Sequence, residues 1–421
     1  MHKLLVYADF EWFDKIKLLG TLNYERLREK DSFGFEYNNE WLRNHASIQI
    51  SADVNNYPGP QFSLPGKDIF GCFSDVMPDR WGRFLLNKLE QILALEEKRP
   101  LRKLASFDYL AGVDDFSRMG GFRFKENEDR DYLNSDSFLQ IPPLTDLREL
   151  IRLSQKIEKS DYENKLPDKK WIMQLIRPGA SLGGARPKAS VVDENQKLCI
   201  AKFPSLKDTY DVGLWEQLCN ILAKKSGIRS TESKAVYVGD KYHTFVARRF
   251  DRTEAQKRIH FASAMTLLGF KDGDNATTGK GYLDIVDFIV RGCTDVRSNL
   301  EELFRRVAFN IGVGNSDDHF RNHGFLLTPK GWTLSPAYDM NPTLDETQSL
   351  LLTQTTNEAN PRLLLDACSE YMLDRKTASG IMAEVGYALS DWEKTARILN
   401  IPGQEIEMFR WRFEKMLTLF K

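Results

Sequence analysis

The stretch GNSDDHFRNHGF, residues 314–325, concentrates side chains that can transfer protons or bind metal ions. It contains two adjacent carboxylates, Asp317 and Asp318, together with the histidines His319 and His323 and the amide of Asn322. One explanation is a polar loop between two helices. The other is a loop built for chemistry, in which one carboxylate accepts a proton from a hydroxyl and a neutral oxygen binds a metal ion.

The spacing within this stretch favours the second explanation. Asp317 and Asn322 follow a helix-like segment with the D-x-x-x-x-N spacing of the protein kinase catalytic loop. GFLLT and GWTLS, within 324–335, then predict a short hairpin, and Asp339 follows in SPAYDMNP. A kinase also continues through a hairpin to a second metal-binding aspartate. We therefore predict Asp317 as the catalytic base and Asn322 and Asp339 as Mg²⁺ ligands.

The neighbouring residues of the loop have alternative interpretations. His319 and His323 could bind a transition metal, but no cysteine or third histidine is nearby in the sequence. We instead expect His319 to fix the loop by hydrogen bonding, and we include it among the ATP-binding residues. Asp318 is expected to face solvent or to make an auxiliary contact, since adjacent side chains rarely point the same way.

Upstream, the stretch SLGGARPK, residues 181–188, could bind phosphate. Gly183 and Gly184 would let backbone N–H groups approach phosphate oxygens, Ala185 continues the loop, and Lys188 adds positive charge. The stretch does not have the G-x-x-x-x-G-K-[ST] pattern of a Walker A motif, and such sequences are also common in simple tight turns. We predict that it contributes to an ATP-binding site.

A second lysine follows in a strand-like context. Lys202 ends the apolar segment CIAKF and resembles the strand lysine of kinases, which contacts the α- and β-phosphates. Glu216, early in the next predicted helix, would be its carboxylate partner or else an exposed helix residue.

Composition restricts the class of protein. The chain has 421 residues, of which 42% are hydrophobic and 28% charged, as expected for a globular protein with a large core. Its 59 basic and 60 acidic residues give a net charge of −1, which excludes a general electrostatic attraction to nucleic acid. The five cysteines are scattered, which favours reduced thiols in a cytoplasm. The apolar part of the N-terminus is too short for a signal peptide, and no apolar stretch is long enough to span a membrane.

Periodicity predicts a strand-rich part followed by a helix-rich part, joined near residues 246–249. Strands and turns are predicted for the first 70 residues, with KLLVYADF, LLGTLNY and FGFEYNNEWL as examples, and hairpins are predicted around the turns DENQ and Asp240. Helices are predicted over 84–98, 145–159 and 214–227, and again through most of the sequence after residue 260. The charged segment 125–138 is a candidate domain boundary.

The three motifs SLGGARPK, GNSDDHFRN and SPAYDMNP together resemble the HipA family of serine/threonine kinase toxins. FEYNNEWL (35–42), FGCFSDVMPDR (70–80) and ARRFDR (247–252) extend the resemblance over nearly the whole chain. The resemblance implies an α+β, protein-kinase-like, two-lobed fold. Residues 1–125 would form a small N-terminal subdomain, 126–247 a mixed α/β N-lobe with the phosphate-binding loop, and 248–421 an all-helical C-lobe with the catalytic loop.

The resemblance also implies function. Asp317, Asn322, Asp339 and Lys202 would have the roles given above, with ATP and Mg²⁺ as nucleotide and metal, and Ser181 would match the autophosphorylated serine of the phosphate-binding loop. The partners would be a helix-turn-helix, HipB-like antitoxin, DNA only through that antitoxin, and a protein substrate such as an aminoacyl-tRNA synthetase. No membrane contact is expected.

One departure from the family pattern concerns the hinge, where Arg248 stands at a position that could carry an acidic residue. Backbone groups of Val246 or Ala247 would then contact adenine. Two other functions stay open at this point: a kinase-fold phosphotransferase for a small molecule or lipid, and a non-catalytic ATP-binding co-repressor of an antitoxin.

Overall fold

The computed structural model describes residues 2–27, 30–64, 66–135, 141–176 and 184–420. Contacts divide the chain into two compact units, each containing helices and strands. The first comprises residues 1–207, 238–240 and 248–262, and the second comprises 208–237, 241–247 and 263–421. The three-part division predicted from the sequence, with boundaries at 125 and 247, stays a prediction.

The first unit contains a five-stranded sheet of order β4-β3-β2-β1-β5, followed in the chain by a separate hairpin of β6 and β7. Buried aromatic residues alternate along β3, because Phe33, Phe35 and Tyr37 all point to the core face. The elements are β1 His2–Ala8, β2 Lys17–Leu27, β3 Lys30–Tyr37, α1 Asn39–His45, β4 Gln61–Phe62, α2 Gly71–Ser74, α3 Arg80–Glu96, α4 Ser106–Ala111, β5 Phe122–Lys125, α5 Leu147–Tyr162, α6 Lys169–Ile176, β6 Lys188–Val192 and β7 Leu198–Lys202.

Two helices of this unit begin where a polar side chain caps them. Asn38 accepts hydrogen bonds from the amides of Glu40 and Trp41, so the predicted strand FGFEYNNEWL is wrong at its end, where α1 begins. Asp79 caps α3 by accepting from the amide of Gly82, so this helix begins four residues before the predicted start at residue 84. Sequence periodicity identified α3 but missed its cap.

The second unit is mainly helical. Its central helix α10 is almost entirely buried and contacts α9, α11, α12 and α14. The remaining elements are α7 Val212–Lys225, β8 Ser233–Val236, β9 Thr244–Arg248, β10 Phe261–Ser263, α8 Ala264–Leu267, α9 Tyr282–Gly292, α10 Val296–Val313, β11 Gly324–Thr328, β12 Gly331–Leu334, α11 Pro361–Asp366, α12 Arg375–Ser390, α13 Trp392–Ile398 and α14 Gly403–Phe420.

The three hairpins predicted from the sequence are confirmed. β6 pairs with β7, β8 with β9 and β11 with β12, all antiparallel. Each consists of two short apolar runs flanking a polar turn, which is the pattern that identifies a hairpin most reliably. None of the helices in the described ranges is long and apolar enough to cross a membrane.

A buried arginine cluster connects the ARRFDR motif to the loop before β5. The carboxylate of Asp251 is fully buried and accepts hydrogen bonds from Arg249 Nε at 2.8 Å, Arg252 Nη1 at 2.6 Å and the amide of Gly120 at 2.8 Å. The two arginines also donate to the carbonyl oxygens of three loop residues, Phe116, Ser117 and Arg118. Burial acts to raise the pKa of Asp251, but the two guanidinium groups outweigh it and lower the pKa.

We expect Asp251→Asn to destabilise the protein strongly, because it removes the charge that compensates two buried guanidinium groups. Breaking such a buried pair costs about 3–5 kcal/mol. The free energy of unfolding, measured by urea denaturation, should fall by about this amount. The exposed pair of Asp287 and Arg291 supplies a control, since Asp287→Asn should change stability by less than about 0.5 kcal/mol. Equal effects of the two substitutions would contradict a structural role for the cluster.

Candidate active site

The loop that carries Asp317 begins where α10 ends in Gly314, whose left-handed backbone turns the chain. Asp317 is exposed, whereas Asn322 is buried. The amide nitrogen Nδ2 of Asn322 donates to the carbonyl oxygen of Asp317 at 3.1 Å. This hydrogen bond brings the two predicted residues together and orients the Asn322 amide, which leaves its Oδ1 as the atom that can bind a cation.

Asp318 forms the buried centre of the loop. Its Oδ2 accepts hydrogen bonds from the hydroxyl of Tyr282 at 2.8 Å and from Nδ2 of Asn310 at 2.7 Å, and it lies 2.9 Å from Nε2 of His323. The prediction of a solvent-facing or auxiliary Asp318 was therefore wrong. Its partners Tyr282 and Asn310 lie 36 and 8 residues away, so no local pattern in the loop could have identified them.

The electrostatics of Asp318 keep it ionised. Burial acts to raise its pKa, but the neighbouring His323 and the hydrogen bonds from His323 and Tyr282 together outweigh it, so the pKa is lowered. The negative charge therefore persists at neutral pH and holds its three donors. The backbone of the loop is fixed from the other side, because the amide of Ala264 donates to the carbonyl oxygen of His323 at 2.7 Å.

The histidine that fixes the loop is thus His323, where the sequence suggested His319. His319 is partly exposed, and its Nδ1 has no hydrogen-bond partner among the described residues. Its carbonyl oxygen accepts from the amide of Asn322 at 2.8 Å. Contact of His319 with ATP stays a prediction.

The segment around Asp339 is attached to the same loop. The hydroxyl of Tyr338 donates to the carbonyl oxygen of Arg321 at 2.5 Å, and the amide of Ala337 donates to the carbonyl oxygen of Arg229 at 2.7 Å. Asp339 itself has a left-handed backbone with φ +59°. A non-glycine residue in this region stores about 1–3 kcal/mol of strain, and such residues concentrate at functional sites.

The beginning of the loop is held by the chain that follows Asp339. The carbonyl oxygen of Gly314 accepts from both the amide and the hydroxyl of Thr343, each at 2.8 Å. The hydroxyl of Ser316 lies 2.6 Å from that of Thr343 and donates to Asp345 Oδ2 at 3.0 Å. The residues on both sides of Asp317 are therefore anchored, although its own side chain is exposed.

The donor set suits a hard cation. Within the described ranges, no group of three histidine, cysteine or acidic side chains is placed so that it could hold a metal ion by itself. The oxygen of the oriented Asn322 amide and the carboxylate of Asp339 are ligands that Mg²⁺ accepts, and in phosphate-binding sites the substrate supplies further oxygens. These two residues fit the predicted Mg²⁺ site.

The predicted phosphate-binding lysines lie in the first unit. Lys188 and Lys202 are both buried and are direct cross-strand partners in the β6–β7 hairpin. Nζ of Lys188 forms an ion pair with Oδ2 of Asp79 at 2.9 Å, a partner that the sequence did not suggest. Gly184 has a left-handed backbone with φ +93°, and both it and Ala185 are exposed. Ser181 and Gly183 lie outside the described residues.

The other predicted contacts are distributed along α7 and β9. Glu216 is buried, so its interpretation as an exposed helix residue was wrong, while pairing with Lys202 stays a prediction. On β9, Val246 is buried, Ala247 is partly exposed, and Arg248 forms an ion pair with Glu254 at 2.5 Å. Adenine contacts by these residues stay a prediction.

Family models match both parts of the sequence. The HipA-like C-terminal domain matches residues 180–392, which is half of the chain, and the HipA N-terminal domain matches residues 14–108. The chain belongs to the HipA family. The matched C-terminal region includes the whole loop and Asp339.

Individual HipA relatives are distant in sequence. The serine/threonine-protein kinase toxin HipA of Shewanella oneidensis is 26% identical over 197 residues, 40% of this chain and 45% of that relative. A putative kinase of Haemophilus influenzae is 25% identical over 203 residues, 43% of this chain and 59% of that relative. The chain thus matches only about half the length of these two curated relatives.

A solved structure establishes the fold. The complex of Shewanella oneidensis HipA with HipB and its operator DNA contains a chain that superimposes with a TM-score of 0.69 at 15% identity, covering 99% of this chain and 96% of that one. The α+β, protein-kinase-like fold predicted from the sequence is confirmed.

We expect Asp318→Asn to loosen the loop, because the buried donors of Tyr282, Asn310 and His323 lose their shared anion. The cost should be about 1–3 kcal/mol in the free energy of unfolding. Because the folded pKa of Asp318 is lowered, this contribution is present above the ordinary value of 3.8 and is lost as the pH falls through the folded pKa. Stability should be compared by urea denaturation at pH 7. Asp317→Asn, at the adjacent exposed carboxylate, is the matched control and should cost less than about 0.5 kcal/mol.

Proposed function

We propose that this HipA-family chain is an ATP-dependent protein serine/threonine kinase and the toxin of a HipA-type toxin–antitoxin module. The observation that carries the proposal is the geometry of the loop. It exposes the carboxylate of Asp317 while the Asn322 amide is bonded to the Asp317 backbone and Asp318 is locked beneath it. A rigid loop with one exposed carboxylate is what general-base catalysis on a bound hydroxyl requires.

Asp317 would act at the attacking hydroxyl of a serine or threonine. Its carboxylate accepts the hydroxyl proton as the oxygen forms a bond to the γ-phosphorus of ATP. The bond between that phosphorus and the bridging oxygen breaks, and ADP leaves with the electron pair. Because Asp317 is exposed and its backbone is anchored on both sides, its side chain can reach a hydroxyl on a separate protein.

Asn322 and Asp339 would hold Mg²⁺ through Oδ1 and the carboxylate. When bound, the ion neutralises charge on the β- and γ-phosphates. The hydrogen bond from Asn322 Nδ2 to the Asp317 carbonyl fixes the direction of Oδ1. The Asn322 ligand is therefore oriented by a backbone contact before the nucleotide binds.

The phosphate chain would be bound by the first unit. Lys202 and the exposed backbone of Gly184 and Ala185 are the proposed contacts, with Glu216 as the carboxylate that orients Lys202. Lys188 is already paired with Asp79, so we propose that it supplies positive potential to the phosphates while remaining anchored. The backbone of Val246 or Ala247 would contact adenine, and Ser181 would be the site of autophosphorylation.

The proposed partners follow from the relatives. The Shewanella oneidensis protein was solved with HipB and operator DNA, and we propose a HipB-like antitoxin for this chain, with DNA contacted through it. The net charge of −1 supports this indirect route, since it provides no general attraction to DNA. The substrate would be a protein of translation, such as an aminoacyl-tRNA synthetase.

The decisive experiment is labelling with [γ-³²P]ATP and Mg²⁺, in the presence and absence of a bacterial protein extract. We expect self-labelling of the wild-type chain at Ser181, located by mass spectrometry, and labelling of a protein substrate. Asp317→Asn should lower the rate by about 10²–10⁴, because it removes the general base.

The control for this assay is Asp287→Asn on the exposed surface of α9, which should phosphorylate at the wild-type rate. Labelling of a metabolite or lipid alone would favour a phosphotransferase of another class. ATP binding without any transfer would favour a non-catalytic role, and a normal rate for Asp317→Asn would exclude Asp317 as the base.

Asp339→Ala should separate metal binding from nucleotide binding. Loss of a carboxylate that binds Mg²⁺ weakens binding of Mg·ATP, whereas adenosine carries no phosphate and should be unaffected. We expect at least a roughly tenfold larger loss for Mg·ATP, measured by isothermal titration calorimetry. Asp339→Asn is the matched control for conformation, because asparagine also tolerates the left-handed backbone. Equal losses for Mg·ATP and adenosine would assign Asp339 a structural role.

A further inference from the structure

Arg412 of α14 is a fully buried side chain whose guanidinium group makes no hydrogen bond within the described residues. It is 0% exposed, and none of its three guanidinium nitrogens has a hydrogen-bond partner among the described residues. Buried guanidinium groups normally donate to several acceptors, because leaving these donors unsatisfied costs free energy. An unsatisfied buried group of this kind points to a role other than filling the core.

The position of Arg412 suggests that role. Its side chain lies on Gly314, the residue at which α10 ends and the catalytic loop begins. A Cβ atom at Gly314 would lie 2.7 Å from Nε and 3.3 Å from Cγ of Arg412. Glycine is therefore required both by the left-handed backbone and by the guanidinium packed against it. Arg412 covers the Gly314 end of the loop, opposite in sequence to the Asn322 end.

The opposing charges that act on Arg412 belong to the chain segment that holds this end of the loop. Burial lowers the pKa of Arg412, and the carboxylates of Glu346 and Asp345 act against that shift. Glu346 is already paired with Lys415 at 2.5 Å. Asp345 instead accepts the hydrogen bond from Ser316, the residue immediately before Asp317. The charge of Arg412 thus attracts the carboxylate that anchors Ser316.

We propose that Arg412 is a positioning residue for the catalytic loop: it seats Gly314 and, through Asp345, holds Ser316 and hence Asp317 in place. This inference rests on the proposed kinase function for its catalytic consequence. Arg412 is not one of the residues proposed to bind the substrate or the metal ion. It lies on α14, beyond the residues matched by the HipA C-terminal domain model, which end at 392.

The substitutions that test this role separate charge from volume. Arg412→Met keeps the length of the side chain and removes the charge, while Arg412→Lys keeps the charge and loses the planar group. Arg410→Met is the matched control, because Arg410 lies on the same helix and pairs with Glu393 and Glu407 on the surface. Asp345→Asn removes the proposed intermediary without disturbing the core.

The kinetic measurement compares kcat and the KM for ATP in the full chain. For Arg412→Met we expect kcat to fall by about tenfold or more, as small displacements of catalytic groups do, with KM for ATP within about threefold of wild type. Arg412→Lys should recover part of the loss, and Arg410→Met should match the wild type. Because Arg412 acts through Asp345, the effects of Arg412→Met and Asp345→Asn should not add. The kcat of the variant that carries both substitutions should be only slightly lower than that of the more impaired single variant.

Hydrogen–deuterium exchange supplies a readout that does not depend on catalysis. In Arg412→Met and Asp345→Asn, amides of residues 315–317 should exchange faster, while those of β11 should not change. If the wild type does not phosphorylate but this shift occurs, the proposed kinase function fails and the positioning role survives. An active wild type with unchanged kcat and unchanged exchange in Arg412→Met and Asp345→Asn would overturn the positioning role. If Arg412→Met does not fold, Arg412→Lys and Asp345→Asn decide the question by the same measurements.

Discussion

The candidate site depends on one buried anion. The carboxylate of Asp318 lies beneath the loop and draws Tyr282, Asn310 and His323 towards a single oxygen. These three residues come from α9, from α10 and from the end of the loop itself, so one charge fixes the loop against two helices. Burying an ionised carboxylate costs desolvation free energy, and the three donors that converge on Oδ2 offset this cost. The side chain of the adjacent Asp317 is exposed, which makes it accessible for the proposed chemistry.

The part of the site that the sequence predicted is the part encoded locally. The five-residue spacing of Asp317 and Asn322, the hairpin after them and the position of Asp339 are all properties of one continuous stretch. The hairpins β6–β7 and β11–β12 were likewise predictable, since short apolar runs around a polar turn have few alternative structures. The burial of Asp318 was not predicted because it depends on Tyr282, which is 36 residues away in the chain. Locally, a pair of adjacent aspartates indicates only a polar loop.

Other differences have related physical causes. Periodicity identified α3, but its first turn depends on Asp79, whose side chain also reaches Lys188 in a distant segment. Glu216 lies in α7, whose sequence is amphipathic and predicts one exposed face. In the folded unit most of α7 is nevertheless buried. Arg412 gave no signal at all in the sequence, because arginine in a charged helix is ordinarily a surface residue. The burial and contacts of residues with long-range partners are thus what a single sequence cannot predict.

The ion pair between Lys188 and Asp79 has a consequence for how the chain could be divided. Two buried lysines, Lys188 and Lys202, face each other across the β6–β7 hairpin, and like charges in that arrangement repel. The counter-charge of Lys188 comes from a residue more than a hundred positions earlier, at the start of α3. A fragment that began after β5 would therefore lack the carboxylate of Asp79 that pairs with Lys188, and it would also lack the loop carbonyls that bind Arg249 and Arg252. The start of α3 is in this sense an electrostatic component of the β6–β7 hairpin, and we expect a fragment that lacks it to be less stable than the whole chain.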